Sequence, residues 1–143
     1  MAKAYGLAGL SIGYAVAPKE LALYLKAKGL GDTHALNRLS VVATEVAIKD
    51  LKNIARVNKF VTQEREKWDI FLDKLGLQHT ASKANFVFFD TKKPYAEVQK
   101  RLAAAGILIG REFTPYNTWV RISIGLPEEN AKVQAVIKEI VKQ

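Results

Sequence analysis

Lys3 stands just ahead of a glycine-punctuated run, Tyr5-Gly6-Leu7-Ala8-Gly9-Leu10, and a lysine so placed could do carbonyl chemistry. Its amine attacks an aldehyde only after losing a proton, and desolvation promotes that loss. By itself a lysine this close to a chain start reads as a solvated one; the run behind it gives it weight. Arg121 is the second candidate, inside Trp119-Val120-Arg121-Ile122-Ser123-Ile124-Gly125-Leu126-Pro127-Glu128-Glu129-Asn130, although taken alone it reads as a strand arginine facing solvent. A guanidinium offers a planar fork that matches a carboxylate bidentately, which an ammonium does poorly.

Other positions carry less. Asn85 opens the apolar run Asn85-Phe86-Val87 and, by itself, reads as a residue that caps or turns the chain. Arg111, by itself, reads as a solvated loop residue. His34 and His79 are far apart, with no partner at metal spacing, and read as surface histidines. Tyr5 and Tyr14 read as packing residues. Gly6 and Gly9 precede an apolar run instead of following one, so they do not form a dinucleotide loop. Without cysteine there is no thiolate nucleophile, disulfide framework or cysteine metal site.

The elements that must hold these residues follow from periodicity. Residues 12–17 read as a short buried strand. Pro18 and Gly29 bracket a helix over 19–28, and 29–33 is a loop. A helical tract follows over 36–75. It carries Leu36, Leu39, Val42 and Val46, then Leu51, Ile54, Val57 and Val61, then Trp68, Phe71 and Leu75 at helical spacing, with a break near Asp50 and an end at Gly76. Residues 85–89 read as a strand. Tyr95, Val98, Leu102 and Ala105 form a helical stripe that Gly106 ends. The apolar run 107–109 is a further strand, 119–124 another, and Val133, Val136, Ile137 and Ile140 share a face of a last helix with Glu128 and Glu129 in its first turn. The expected class is α/β, an α+β domain with a small sheet covered by two helices, preceded by a long helical tract and one earlier strand.

The chain has 143 residues, 49% hydrophobic and 25% charged, enough for a sizeable core and far from disorder. No apolar stretch approaches the roughly 20 residues of a membrane span, and the start lacks a signal-peptide layout. The absence of cysteine fits a cytoplasmic setting. A net charge of +8 invites a nucleic-acid reading. Against it, the cations are interleaved with acids, as in Gln63-Glu64-Arg65-Glu66-Lys67, the pattern of solvated helix faces, and no nucleic-acid motif is present.

The run from Lys3 to Tyr14 closely resembles the lysine segment of fold-type I, pyridoxal-phosphate-dependent aminotransferases of the histidinol-phosphate branch. That segment reads Ser-Lys-x-x-Gly-Leu-Ala-Gly-Leu-Arg-x-Gly-Tyr. The segment around Arg121 resembles the family's Arg-Ile-Ser-Ile-Gly-Thr-Pro-Glu-Glu-Asn. The resemblance covers nearly the whole chain and implies the carboxy-terminal part of such an enzyme. On this view residues 1–35 are a remnant of the cofactor domain, 36–75 are connecting helices and 76–143 are the small domain. Lys3 becomes the Schiff-base lysine, Arg121 the clamp on the substrate carboxylate, and Asn85 and Arg111 further cleft residues.

Three departures stand out. Ala2 replaces the family serine, Ser11 the phosphate-facing arginine, and Leu126 a threonine. Losing a charged hydrogen bond such as the arginine's removes roughly 1.5–3 kcal/mol. The family's pyridine-nitrogen aspartate, phosphate-cradling turn and ring-stacking aromatic lie upstream of the lysine and map to nothing here. The resemblance therefore implies a fragment inactive alone that does not hold pyridoxal phosphate tightly. The alternatives are one half of a split transaminase, or a non-catalytic interaction or designed module. Trp68, Phe71 and residues 12–16 would face a missing domain, so a homodimer or swapped oligomer is expected.

Overall fold

The computed structural model describes residues 1–32 and 34–142. Thr33, the last residue of the expected loop, and Gln143 lie outside them. The chain forms two compact units, Met1–Asn58 and Lys59–Gln143, and the division falls within a helix.

The first unit opens with a short 3-10 turn, Ala8–Leu10. Helix α1 spans Lys19–Ala27 with Pro18 at its amino-terminal cap, and α2 spans Arg38–Lys49. Asn37 caps α2 by accepting from the Leu39 and Ser40 N–H groups. Helix α3, Leu51–Lys74, begins after Asp50. The Asp50 carboxylate accepts the Asn53 N–H at 3.0 Å, so the chain stops and restarts there because an acidic cap takes over the free amides. Residues 12–17 are not the buried strand expected. They have no strand partner, and Tyr14 and Val16 are 79% and 88% exposed. A strand needs a ladder for its backbone groups, and among the described residues none is offered. Ser40 is the one buried residue among the described residues of this unit, its hydroxyl donating to the Leu10 carbonyl at 2.7 Å. Ser40 thereby fixes the turn, while Leu39, Val42 and Val46 of α2 stay exposed.

The second unit holds the core. Strands β1, Phe86–Asp90, and β2, Trp119–Ser123, pair antiparallel with Phe88 opposite Arg121. Alternation turns Val87, Phe89, Val120 and Ile122 inward. Helix α4, Tyr95–Ala104, supplies Val98 and Leu102, and α5, Pro127–Lys142, supplies Ile137 and Ile140. The lower half of α3 adds Trp68 and Leu72, so helices cover one face of a small sheet, as the sequence implied. Trp68 is not surface left by a missing domain. It is fully buried, edge-on to Phe71 at 5.7 Å and 6.0 Å from the Phe89 ring.

The run 107–109 keeps a strand's alternation, with Ile107 and Ile109 against the core and Leu108 90% exposed, yet among the described residues it has no ladder partner. The Ile107 N–H is already used to close α4 on the Leu102 carbonyl, and the Gly110 carbonyl accepts from the Tyr95 hydroxyl. Among the described residues no helix is long and apolar enough to cross a membrane.

Candidate functional site

The residues expected to carry chemistry fall in both units. In the first, Lys3 is exposed and lines an open cleft of about 600 Å³ with Tyr5, Tyr14 and Ile48. Its carbonyl accepts the Gly6 N–H at 3.0 Å, and Gly6 takes the positive φ (+68°) that this turn requires. Tyr14 is largely exposed, not a packing residue. Ser11 has φ +46° at the end of the 3-10 turn and lines a separate cleft of about 400 Å³ with Ser40. Lys3 and Ser11 are thus not gathered around one cavity. Neither cleft is lined by an arginine or a carboxylate.

In the second unit, the sheet face turned away from the core carries Phe86 and Phe88 from β1 and Trp119 and Arg121 from β2. The side chains of a strand alternate, so Arg121 must share its face with Trp119 and not with Val120. The loop after α4 brings Phe113 and Tyr116 onto the same face. Phe88 lies 4.9 Å from Trp119, 5.4 Å from Phe113 and 6.1 Å from Tyr116, ring centroid to centroid. The Arg121 guanidinium sits 5.4 Å from both the Phe86 and the Phe113 rings, and Arg111 sits 5.3 Å from Phe113. Two of the expected residues, Arg121 and Arg111, are therefore brought to one ring. Asn85 precedes Phe86, and its carbonyl accepts the Ile124 N–H at 3.0 Å, which ties the end of β1 to the end of β2.

Among the described residues neither arginine comes within ion-pair distance of a carboxylate, and Arg121 donates no hydrogen bond to the protein. A cation held over aromatic faces keeps its donors free for an anion.

Behind β2 lies a polar network that sequence reasoning missed. Glu64 and Arg65, read as solvated, are 4% and 7% exposed. Arg65 donates to the Ala84 carbonyl at 3.0 Å. Glu64 accepts from Lys67 and from the Asn130 amide at 2.8 Å, and these hydrogen bonds, Lys67's first, hold its carboxyl below the usual range although burial opposes them. Asn130 in turn clasps Gly125, accepting its N–H and donating to its carbonyl, each at 3.0 Å. Lys67 is three residues from Glu64, but Asn130 lies 66 residues away, so no local pattern could have signalled that contact. His79 is likewise not a free surface residue: its ring lies 3.1 Å from Asp73 and 3.7 Å from Asp69. His34 is exposed.

Comparison with known proteins places this geometry. The family model for aminotransferase class I and II matches residues 1–137. The chain is 35% identical over 143 residues to a histidinol-phosphate aminotransferase of Limosilactobacillus fermentum, covering 100% of this chain and 38% of that protein. It is 36% identical to histidinol-phosphate aminotransferase 1 of Mannheimia succiniciproducens, covering 96% of this chain and 38% of that one. Among solved structures, histidinol-phosphate aminotransferase from Sinorhizobium meliloti, in complex with pyridoxal-5'-phosphate, superposes with a TM-score of 0.76 at 28% identity, over 98% of this chain and 39% of that one. The chain thus spans about two fifths of the length of the curated relatives it matches. Over that span, by sequence and by fold alike, the chain belongs to the class I and II aminotransferases.

Proposed function

We propose that this chain is the carboxy-terminal part of a pyridoxal-phosphate-dependent aminotransferase of the histidinol-phosphate type, working in a reducing cytoplasm. The observation that carries the reading is Arg121. An unpaired guanidinium, held over Phe86 and Phe113 on a rigid strand, is a clamp for the carboxylate of an amino acid or oxo acid. Arg111, on the same ring, adds positive charge beside it, and Asn85 borders the same end of the sheet. Lys3 is the residue proposed to meet the cofactor, and Ser11 marks a weakened phosphate position. In this reading residues 1–35 belong to the cofactor domain, 36–75 connect, and 76–143 form the small domain.

The residues on hand do not by themselves fit a held pyridoxal phosphate. The cleft at Lys3 offers a lysine but no carboxylate for the ring nitrogen and no arginine for the phosphate. When bound, the cofactor supplies an electron sink, and that depends on a protonated ring nitrogen. We therefore expect the chain to be inactive alone and to need the portion of its relatives that it does not span. A self-associated form, through a second copy of the chain, is part of the same proposal.

Borohydride trapping with pyridoxal phosphate, read by mass spectrometry, tests this. The chain alone should give slow, unsaturable labelling spread over surface lysines. Adding a separately expressed amino-terminal portion of a relative should confine the label to Lys3. Saturable labelling of Lys3 in the chain alone would overturn the expected dependence. Label at other lysines in the mixture would overturn the role given to Lys3.

A further inference from the structure

We propose that Tyr95 is a positioning residue for Arg121: its hydroxyl holds the Gly110 backbone against that guanidinium and fixes the start of the loop that carries Arg111. The inference rests on the reading of Arg121 as a carboxylate clamp. Residues 110–117 form neither helix nor strand, and all are exposed except the half-buried Phe113. The two ends of this loop are held unequally. At the far end the Thr91 N–H and hydroxyl both donate to the Thr118 carbonyl, at 3.0 and 2.7 Å, and the Tyr95 N–H donates to the Asn117 carbonyl at 2.8 Å. At the near end, among the described residues, the one hydrogen bond made by residues 108–112 joins the Gly110 carbonyl to the Tyr95 hydroxyl. Tyr95 therefore grips both ends, the far one by its backbone and the near one by its side chain.

A phenylalanine would fill the same space in the core, so the hydroxyl needs its own account. Tyr95 is 6% exposed, and a buried hydroxyl must find an acceptor in exchange for the water it loses. Burial first, and then the Glu112 carboxylate, push its pKa above the ordinary 10.0, so it remains a donor into the alkaline range. What it holds lies beside the site. A Cβ on Gly110 would stand 3.7 Å from Arg121 Nη2, so the Gly110 main chain is a wall next to that guanidinium. Arg111 follows directly, and the Arg111 and Arg121 guanidinium groups lie 5.3 and 5.4 Å from the Phe113 ring. With no carboxylate at ion-pair distance among the described residues, the ring and the wall do the placing.

Tyr95→Phe keeps the ring and removes only the donor, and the indole signal of the buried Trp68 in a nitrogen-15 spectrum reports that the variant is folded. Trypsin reads the loop, because cutting the Arg111–Glu112 bond requires the near end to open, and the rate follows the open population. Loss of one hydrogen bond should raise that rate about two- to tenfold. Modification by butane-2,3-dione, followed residue by residue in the mass spectrometer, reads the arginines. In the wild type, acetate should slow modification of Arg121 more than chloride at equal ionic strength does, while the exposed Arg38 responds to both alike. In Tyr95→Phe the same protection should need about two- to tenfold more acetate. Gly110→Ala leaves Tyr95 in place and adds a methyl group in contact with Arg121, so it should slow Arg121 modification relative to Arg38.

Unchanged cutting at Arg111–Glu112 in Tyr95→Phe would show that the hydroxyl holds no loop. Faster cutting with acetate protection intact would show a latch that sets nothing at Arg121. Cutting at Arg111–Glu112 and at Lys67–Trp68 with one common rate would show that the loop opens only with the whole unit. Arg121 modification unmoved by Gly110→Ala would remove the wall. Each of these overturns the proposal. Absence of acetate protection in the wild type would instead overturn the clamp reading, and faster Arg121 modification in Tyr95→Phe without acetate would still mark the hydroxyl's hold.

Discussion

Glu64 and Arg121 are both charged side chains, and their surroundings treat them oppositely. Glu64 is enclosed and its acceptors are used, by Lys67 and by the Asn130 amide. Its folded pKa lies below the ordinary 4.5, with the Lys67 hydrogen bond the largest cause. A carboxyl depressed on folding adds stability that is fully present above its unfolded value and is lost as the pH falls through the folded one. The urea midpoint should therefore drop on acidification below pH 4.5, and Glu64→Gln should flatten that limb. At neutral pH the same variant should be less stable by roughly 1.5–3 kcal/mol, the worth of a charged hydrogen bond. An unchanged acid limb in Glu64→Gln would show that other carboxyls govern it. Arg121 and Lys3 could be picked out in the sequence because residue type and immediate neighbours identified them. Phe113 and Tyr116 could not, since they sit in a loop with no period and reach the sheet face only through the loop's path. Glu64 and Arg65 were misread for a related reason: on a helix rich in both charges, only their distant partners, Asn130 and the Ala84 carbonyl, set them apart from Gln63 and Glu66, which stay exposed.

Helix ends were the most legible elements. Gly76 and Gly106 close α3 and α4 with the same paired bonds, Leu77 N–H to the Leu72 carbonyl and Ile107 N–H to the Leu102 carbonyl. Both glycines take positive φ, +62° and +74°, which a side chain disfavours. A Cβ at Gly76 would meet nothing within 4 Å, so only backbone strain opposes one there. Gly76→Ala should then lower stability by about 1–2 kcal/mol, seen as a shifted urea midpoint with an unchanged slope. The expected strands at 12–17 and 107–109 failed for a shared physical reason. Apolar composition marks both, but a strand exists only where another backbone completes its hydrogen bonds, and that lies outside the segment's own sequence. The strands that did form, β1 and β2, have each other.

At the scale of the molecule the two units differ in what they bury. Among the described residues every buried apolar one belongs to Lys59–Gln143, whereas Leu39, Val42 and Val46 line up along α2 with exposures of 75%, 60% and 68%. That stripe replaces Trp68 and Phe71 as the surface available for self-association. Light scattering at roughly tens of micromolar protein should give a mass above the 15.9 kDa monomer. Leu39→Lys with Val46→Lys should bring it down. A strictly monomeric wild type would remove this stripe as a contact.

Amide exchange should divide the chain along the same line. Opening free energy follows buried apolar contact, and a backbone amide without a ladder partner exchanges as its solvent exposure allows. The amides of β1 and β2 that bond across the ladder lie over Trp68, Leu72, Val98, Leu102, Ile137 and Ile140, all fully buried, and should open only with global unfolding. Residues 12–16 have neither ladder nor burial and should exchange within the dead time of the measurement. Leu102→Ala, which empties a packed site, should cost about 2–5 kcal/mol. It should therefore speed exchange at Val87, Phe89, Val120 and Ile122 together, while exchange at 12–16 stays as it was. Slow exchange at 12–16, accelerated by the Leu102 change, would mean that the first unit borrows its order from the second and that the two do not open independently.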